Sequence, residues 1–516
     1  MLLLGIDLGT SSIKVSVVDA VTQTCLASAQ YPETEADIIA PQPGWAEQSP
    51  ELWWEYTCQA ILKCNVTGAY NPKDIAAIGI AYQMHGLVVV DEAQAVLRNA
   101  IIWCDGRAVE NGNRAFDAIG EKRCLSHLLN SPGNFTASKL AWVKEAEPEI
   151  YDRIHKILLP GDFIAMKLTG EITTTVSALS EGIFWDFATN ALSDDVMNYF
   201  GFDASFIPTV KPLFSSHGRM KKEVAERLSL SAAVPVTYKA GDQPNNAFSL
   251  NVLNPGEVAA TGGTSGVIYG VSDALNYDEQ SRINSFAHVN HNVSQKTEKA
   301  LLEKRLEDEA RIGILLCING CGIFNRWLRN MIGANHSYES LNIEAGKIAV
   351  GSDGLLMLPF GNGAERMLNN QTVGAHFHHL DFNVHSTGHL VRAAQEGIAF
   401  SFRYGLDIMR ENGMNPNVIR AGKANLFLSD VFVQSFVNVT GVPVELYQTD
   451  GSVGAALGAG VGSGFFATPA DAFISRQPLK LITPAGNNNL SAFYEEWKAV
   501  LETQLQNINK PDLIKA

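Results

Sequence analysis

Long apolar runs are absent from this 516-residue chain, and no stretch reaches the length that a membrane-spanning helix needs. The opening "MLLLGI" is shorter than the apolar core of a signal peptide and has no basic flank. Basic charge is scarce as well: 39 Lys and Arg face 54 Asp and Glu, for a net charge of −15. Long-range repulsion therefore argues against nucleic acid or an anionic membrane as the main partner, and a small anionic substrate would need a local set of donors. The seven cysteines, scattered at 25, 58, 64, 104, 124, 317 and 321, suit reduced thiols better than a disulfide framework. Cys317 and Cys321 have the spacing of one helix face, but no second pair stands at finger spacing, so packing is preferred to zinc. The histidines of "HFHH" and "HVNH" likewise lack a carboxylate or cysteine motif beside them. Two nucleotide signatures are missing: "AGKAN" lacks the upstream glycine and the hydroxyl of a P-loop, and no G-x-G-x-x-G occurs. What these absences leave is a soluble, cytoplasmic globular protein with 46% hydrophobic and 18% charged residues.

The length exceeds what one core usually supports, so two large domains are expected. "LLLGID", "IKVSVVDA" and "CLASAQY" form a β-meander, and "SPELWWEYTCQAILKC" is an amphipathic helix with Ser49 as N-cap and Pro50 at its first position. "DIAAIGIAYQMHG" is a buried strand, and "TASKLAWVKEAEPEIYDRI" a helix with Thr136 or Ser138 as cap. "PVTYKAGDQPNNAFSLNV" is a strand, a tight turn and a helix. From about residue 255 the meander begins again with "GEVAATGGTSGVIYGVSD". Helices follow in "ILLCINGCGIFNRWLRNMI" and "HLVRAAQEGIAFSFRYGLDIMRENG", then the strand "VIRAG" and the helix "LFLSDVFVQSFVNVTG". An internal duplication of a βββαβα-type unit explains this order. No low-complexity linker separates the two halves, which are therefore expected to meet across a ligand-binding cleft.

The turns "GTSS" after Gly5-Ile6-Asp7-Leu8 and "GGTSG" after Ala260-Thr261 each place Gly, Thr and Ser between two strands. Consecutive backbone N–H groups and hydroxyls without bulk make a concavity for an anion, although either turn alone is equally a plain hairpin. Two copies, one on each wall of a cleft, favour a polyphosphate held from both sides.

That double-hairpin design is the arrangement of sugar kinases, actin and the large heat-shock chaperones. The chain resembles the FGGY family of carbohydrate kinases over nearly its whole length. The resemblance rests on "GIDLGTSSIKVSVVD", "GWAEQSPELWWE", "QMHGLVVVD", "RNAIIWCDGRA", "ILLPGDFIAMKLTGE", "AGDQPNNAF", "TGGTSGV" and "DGSVGAALGAG". It implies an α/β fold of two actin/hexokinase-like, ribonuclease H-like domains with a cleft between them. Residues 1–246 would be the N-terminal domain, 247–488 the C-terminal domain carrying the second phosphate turn and the adenine side, and 489–516 a closing helix (to about 508) and tail.

The same resemblance supplies roles. Asp242, at the start of a helix whose dipole would keep it ionised, is the base that takes the proton of the attacking hydroxyl; a helix cap is the competing reading. Asp7 would orient Mg²⁺ through water, with Thr10, Ser11 and Lys14 near the phosphates of ATP, Lys14 alternatively pairing with an acid. Gly263, Thr264, Ser265 and Gly266 would hold the remaining phosphates. Met84 and His85 are similar to a sugar-binding pair, His85 bonding a hydroxyl or the ketone; a buried structural histidine is the alternative. Trp103, Asp105 and Arg107 are similar to the loop beside the substrate, though Asp105 and Arg107 also suit an internal salt bridge, and Trp45 either walls the pocket or packs. In place of the family's "GGGA" turn stands "IRAGKANLFLSDVF", from which Gly422, Lys423 and Ala424 would approach the nucleotide. "DGSVGAALGAG" keeps the family look, but close packing alone would also account for it.

The implied activity is phosphorylation of D-xylulose to D-xylulose 5-phosphate. The competitors are ribulose, fuculose, gluconate or glycerol as substrate, and a non-catalytic ATP-binding switch of the actin or chaperone type. The expected partners are the sugar and ATP, neither nucleic acid nor membrane, with a homodimer allowed.

Overall fold

Strand formation at the N-terminus follows from apolar runs that bury both faces. A computed structural model describes residues 1–292, 309–333, 335–448, 450–485 and 490–508. In it β1 (Leu2–Leu8) lies between its antiparallel hairpin partner β2 (Ile13–Asp19) and the parallel strand β4 (Ile75–Tyr82). With β3 (Thr24–Tyr31) and β5 (Val236–Gly241) the first sheet runs β3-β2-β1-β4-β5. The second half repeats this. Its β6 (Glu257–Gly262) and β7 (Gly266–Ser272) form the hairpin, followed by β8 (Asn284–Ala287), β9 (Ile312–Ile318), β10 (Val418–Gly422), β11 (Val444–Tyr447) and β12 (Lys480–Ile482). The order β9-β7-β6-β10-β11 matches the first sheet strand for strand, with β8 and β12 added at the two edges. The architecture is α/β, two actin/hexokinase-like halves.

Two assignments change. "ILLCI" is strand β9, not helix: its apolar run pairs on both sides, with β7 and β8, and the helix Cys321–Ile332 starts only after Gly320. Cys317 and Cys321 therefore lie on different elements rather than on one helix face. The helix Thr136–Ala146 is capped by neither Thr136 nor Ser138. Phe135 stands at its N-cap, the Ala137 N–H donates to the Gly182 carbonyl (3.0 Å), and the Ser138 hydroxyl donates to the Pro132 carbonyl (3.3 Å), so tertiary partners replace a local cap. Ser49 does cap Pro50–Asn65, its Oγ accepting from the Leu52 N–H.

The halves interlock. The helix Gly451–Gly462, from the second half of the sequence, lies on β1, β4 and β5 of the first sheet. Its Gly/Ala composition lets backbone meet backbone: a Cβ on Gly5 would overlap the Ser452 carbonyl, and one on Gly79 the Ala455 carbonyl. The helix Asp242–Ser249 in turn contacts β6 and β7, and it runs across the expected boundary at 246/247. The helix Leu490–Ile508 buries Trp497, whose Nε1 donates to the Met357 carbonyl (2.8 Å), so it belongs to the body of the second half; residues 489 and 509–516 lie outside the described residues. Among the described residues no helix is long and apolar enough to cross a membrane.

Candidate active site

β5 ends directly in the helix Asp242–Ser249, with no turn between, so Asp242 is set where a strand stops and a helix begins. Gly241 takes the cap position and Asp242 the first position of the helix. Burial first, and then the charge of Asp7, push its carboxyl up to about 7. The helix dipole was expected to keep it ionised; desolvation and a like charge outweigh hydrogen bonds from Gln243 and the first turn. Asp7, half-buried at the end of β1, is pushed up to about 6 by burial and by Asp450, against Lys14. Gly451 lies so close to Asp7 that a Cβ there would overlap Oδ2. A partly desolvated carboxylate among like charges, with a bare backbone beside it, is a fitting place for a hydrated divalent cation.

The strand β4 leads into Met84 and His85. Met84 is buried against Gly241, next to Asp242. His85 has a left-handed backbone (φ 62°), which a non-glycine residue adopts only when its surroundings enforce it. Its Nδ1 bonds the Glu181 carbonyl at 2.9 Å, and its ring meets Phe135 (4.7 Å) from the first half and Phe286 (5.3 Å) from the second. Burial and Lys139 push the imidazole down to about 3. A neutral ring that donates from Nδ1 to a carbonyl presents Nε2 as an acceptor. Such an acceptor can take a hydroxyl donor but not a ketone oxygen. Nothing in the sequence singled out Glu181. Its Oε1 accepts from the Tyr82 hydroxyl (2.7 Å), its Oε2 is buried with no hydrogen bond among the described residues, and burial raises its carboxyl well above the usual range. Arg366, which reaches across to the Ser131 hydroxyl (3.1 Å) and stacks on Phe135, was also missed.

Other expected residues are engaged elsewhere. Asp105 is fully buried and accepts from the Ala46 N–H (2.5 Å) and from Arg107 (Nη2 to Oδ2 2.7 Å), while Arg107 lies 3.9 Å from the Trp45 ring centroid. The salt-bridge alternative holds for this pair, and Trp45 packs on it. Trp103 is half exposed and donates from Nε1 to Thr10 Oγ1 (2.9 Å), which ties its loop to the first turn. Thr10 also donates to Gln83 (3.2 Å), and Ser11 lies exposed beside it. Lys14 pairs with Asp450, the acid that the second reading of this lysine required.

In the second turn the Gly263 and Thr264 carbonyls accept from the Gly322 (3.0 Å) and Ile323 (3.1 Å) N–H groups. Peptide planarity then turns the N–H groups of Thr264 and Ser265 the other way. Ser265 donates to Asn319 (3.0 Å). Gly263 and Thr264 line a cavity of about 320 Å³ with Ile323, Tyr338, Gln395 and Leu426, large enough for part of a nucleotide. Gly422 and Lys423 are not among its lining residues. The Lys423 N–H continues the β10–β11 ladder to the Tyr447 carbonyl (2.8 Å), and Asn425, Leu426, Leu428 and Ser429, slightly further on, reach the cavity instead.

Comparison with known proteins identifies the family and the fold. Residues 2–249 match the N-terminal domain model of the FGGY family of carbohydrate kinases, and residues 259–463 match its C-terminal domain model. The xylulose kinase of Escherichia coli is 28% identical over 477 residues, covering 92% of each chain. The structure of xylulose kinase from Rhodospirillum rubrum superposes with a TM-score of 0.86 at 24% identity, over 99% of this chain and 100% of that one. Gluconate kinase from Lactobacillus acidophilus superposes with a TM-score of 0.85 at 20% identity, over 99% and 98%. At such identities the superpositions speak for the fold.

Proposed function

The chain belongs to the FGGY family of carbohydrate kinases, a phosphotransferase with an alcohol as acceptor, and from that premise we propose that it phosphorylates D-xylulose at its terminal hydroxyl with ATP and Mg²⁺. The observation that carries this reading is the juxtaposition of Asp242 with the Met84–His85 turn: Met84 packs on Gly241, and Glu181 adjoins both His85 and Asp242. The sugar binds with one hydroxyl donating to His85 Nε2, and its terminal hydroxyl lies against Asp242. As the oxygen of that hydroxyl attacks the γ-phosphorus, the bond from phosphorus to the bridging oxygen breaks, ADP leaves, and the proton passes to an Asp242 carboxylate oxygen. A carboxylate suffices as base because the hydroxyl becomes acidic late in a loose phosphoryl transfer. A carboxyl poised near 7 is matched to the task at neutral pH. Asp7 would hold Mg²⁺ through water, and the ion would offset charge on the phosphate oxygens. Thr10, Ser11 and the second turn grip the phosphates, and the cavity beside Leu426 takes the base of the nucleotide. A cytoplasmic setting goes with this chemistry.

A coupled assay of ADP release over a panel of sugars tests the proposal. D-xylulose is expected to give the highest kcat/KM. Better turnover of ribulose, fuculose, gluconate or glycerol would overturn the substrate assignment and leave the kinase standing.

A further inference from the structure

Beneath His85 lies an amine that the proposed reaction does not use. Lys139, on the helix Thr136–Ala146, has no exposed surface. Among the described residues its Nζ makes one hydrogen bond, to the His85 carbonyl at 2.8 Å, and no carboxylate pairs with it. Burial pushes the ammonium down to about 7, with Asp105 and Cys104 opposing the shift. Removing an amine from water for one hydrogen bond is costly, and such a group persists where its geometry is needed.

The residue at the other end of that bond is strained. His85 is held at φ 62° between two anchors, its main-chain carbonyl on Lys139 and its ring Nδ1 on the Glu181 carbonyl. Phe135 and Phe286 close the ring in on two sides. Among the described residues Nε2 is the ring nitrogen left for a ligand, and its direction depends on the left-handed turn that the carbonyl bond secures. We infer that Lys139 is a positioning residue for sugar binding, whose donation to the His85 carbonyl keeps Nε2 aimed at a substrate hydroxyl.

The inference rests on the sugar-kinase reading above. Lys139 acts through His85, and His85 holds a hydroxyl that does not react, so the contact is equally strong in the ground state and the transition state. Losing it should appear in the sugar KM and not in kcat. The nucleotide cavity beside Leu426 is built from other residues.

The test is steady-state kinetics of Lys139→Met with the sugar that the wild-type enzyme uses best. The sugar KM is expected to rise at least about tenfold, with kcat at saturating sugar and the ATP KM within about threefold of wild type. If Lys139→Met gives no soluble enzyme, Lys139→Gln, a neutral polar side chain too short to span from this helix to the His85 carbonyl, is measured alone and must show the same split. An unchanged sugar KM in a folded variant, or kcat and both KM values deteriorating together as a packing defect would produce, overturns the inference. A wild type that prefers a sugar other than D-xylulose overturns the substrate proposal instead and leaves this test to be run with that sugar.

Discussion

Asp242 carries opposite consequences for catalysis and for stability. Its carboxyl lies near 7 in the folded protein, against 3.8 for the unperturbed group, so between those values the native state binds more protons than the unfolded chain. Stability contributed by this group is therefore full below about pH 4 and falls as pH rises through about 7, and Asp7 acts in the same direction. Asp242→Asn should lower kcat by about a hundredfold or more while ATP and sugar still bind. The same variant should melt a few degrees above the wild type at about pH 8, a gap that closes near pH 4. Paired melting curves at the two pH values check this, and an Asn variant less stable at the higher pH would contradict it. In the wild type, kcat/KM for the sugar should climb through an ascending limb centred near pH 7; a flat profile from about pH 5.5 to 8.5 would remove Asp242 from the role of base. Asp242, Met84 and His85 were legible because they stand in short motifs at strand ends. Glu181 and Lys139 were not, since "SALSEG" and "TASKLAW" look like ordinary helix, and only tertiary packing places them under the site.

Elements differ in how well their sequences announce them. The two meanders and both Gly-Thr-Ser hairpins were evident because alternation and turn residues are local signals. "ILLCI" misled because a short apolar run fits a buried strand as well as a helix, and the register that decides the matter is supplied by β7 and β8. The turn after β10 is harder to read for a related reason. Gly422 and Lys423 were expected to approach the nucleotide; the Lys423 backbone is committed to the β10–β11 ladder, and the chain lines the cavity only at Asn425 to Ser429. Lys423→Ala should accordingly leave the ATP KM within about twofold, whereas Leu426→Trp, which fills the cavity, should raise it at least about tenfold with the sugar KM little changed. The reverse ranking would return the nucleotide to the β10 turn. The glycine-rich helix allows a sharper test. Gly79→Ala drives a methyl into the Ala455 carbonyl and should lower Tm by about one to three degrees, because overpacking costs about 1–3 kcal/mol. Gly361→Ala, whose Cβ meets only the Ala375 methyl at 3.5 Å, should be close to neutral in the same melting assay.

At the scale of the molecule, the duplication suggests two independent domains, but the packing argues for one folding unit. The helix Gly451–Gly462 covers the first sheet, so that Leu3, Ala77, Ala81 and Tyr238 share one core with Val453, Ala455, Ala456 and Ala459. The helix Asp242–Ser249 contacts the second sheet in return. A third seam joins β8 to the first half: the Ser285 carbonyl accepts from Asn130 (2.6 Å), the Ala287 carbonyl accepts from Ser177 (2.9 Å), and the Ala287 N–H donates to Ser180 (3.0 Å). Each of these contacts exposes buried backbone or apolar surface if one half unfolds alone, so partial unfolding forfeits part of the other core as well. Calorimetry of the intact chain should therefore give one transition with a calorimetric enthalpy close to the van't Hoff value. The proposed site shares this seam, since Phe135 from one half meets Phe286 from the other and the two rings keep their spacing only while both halves are folded. Two resolved melting peaks, or a fragment ending near residue 250 that folds as a stable monomer, would show the halves to be separable and would sever this link between shared core and shared site.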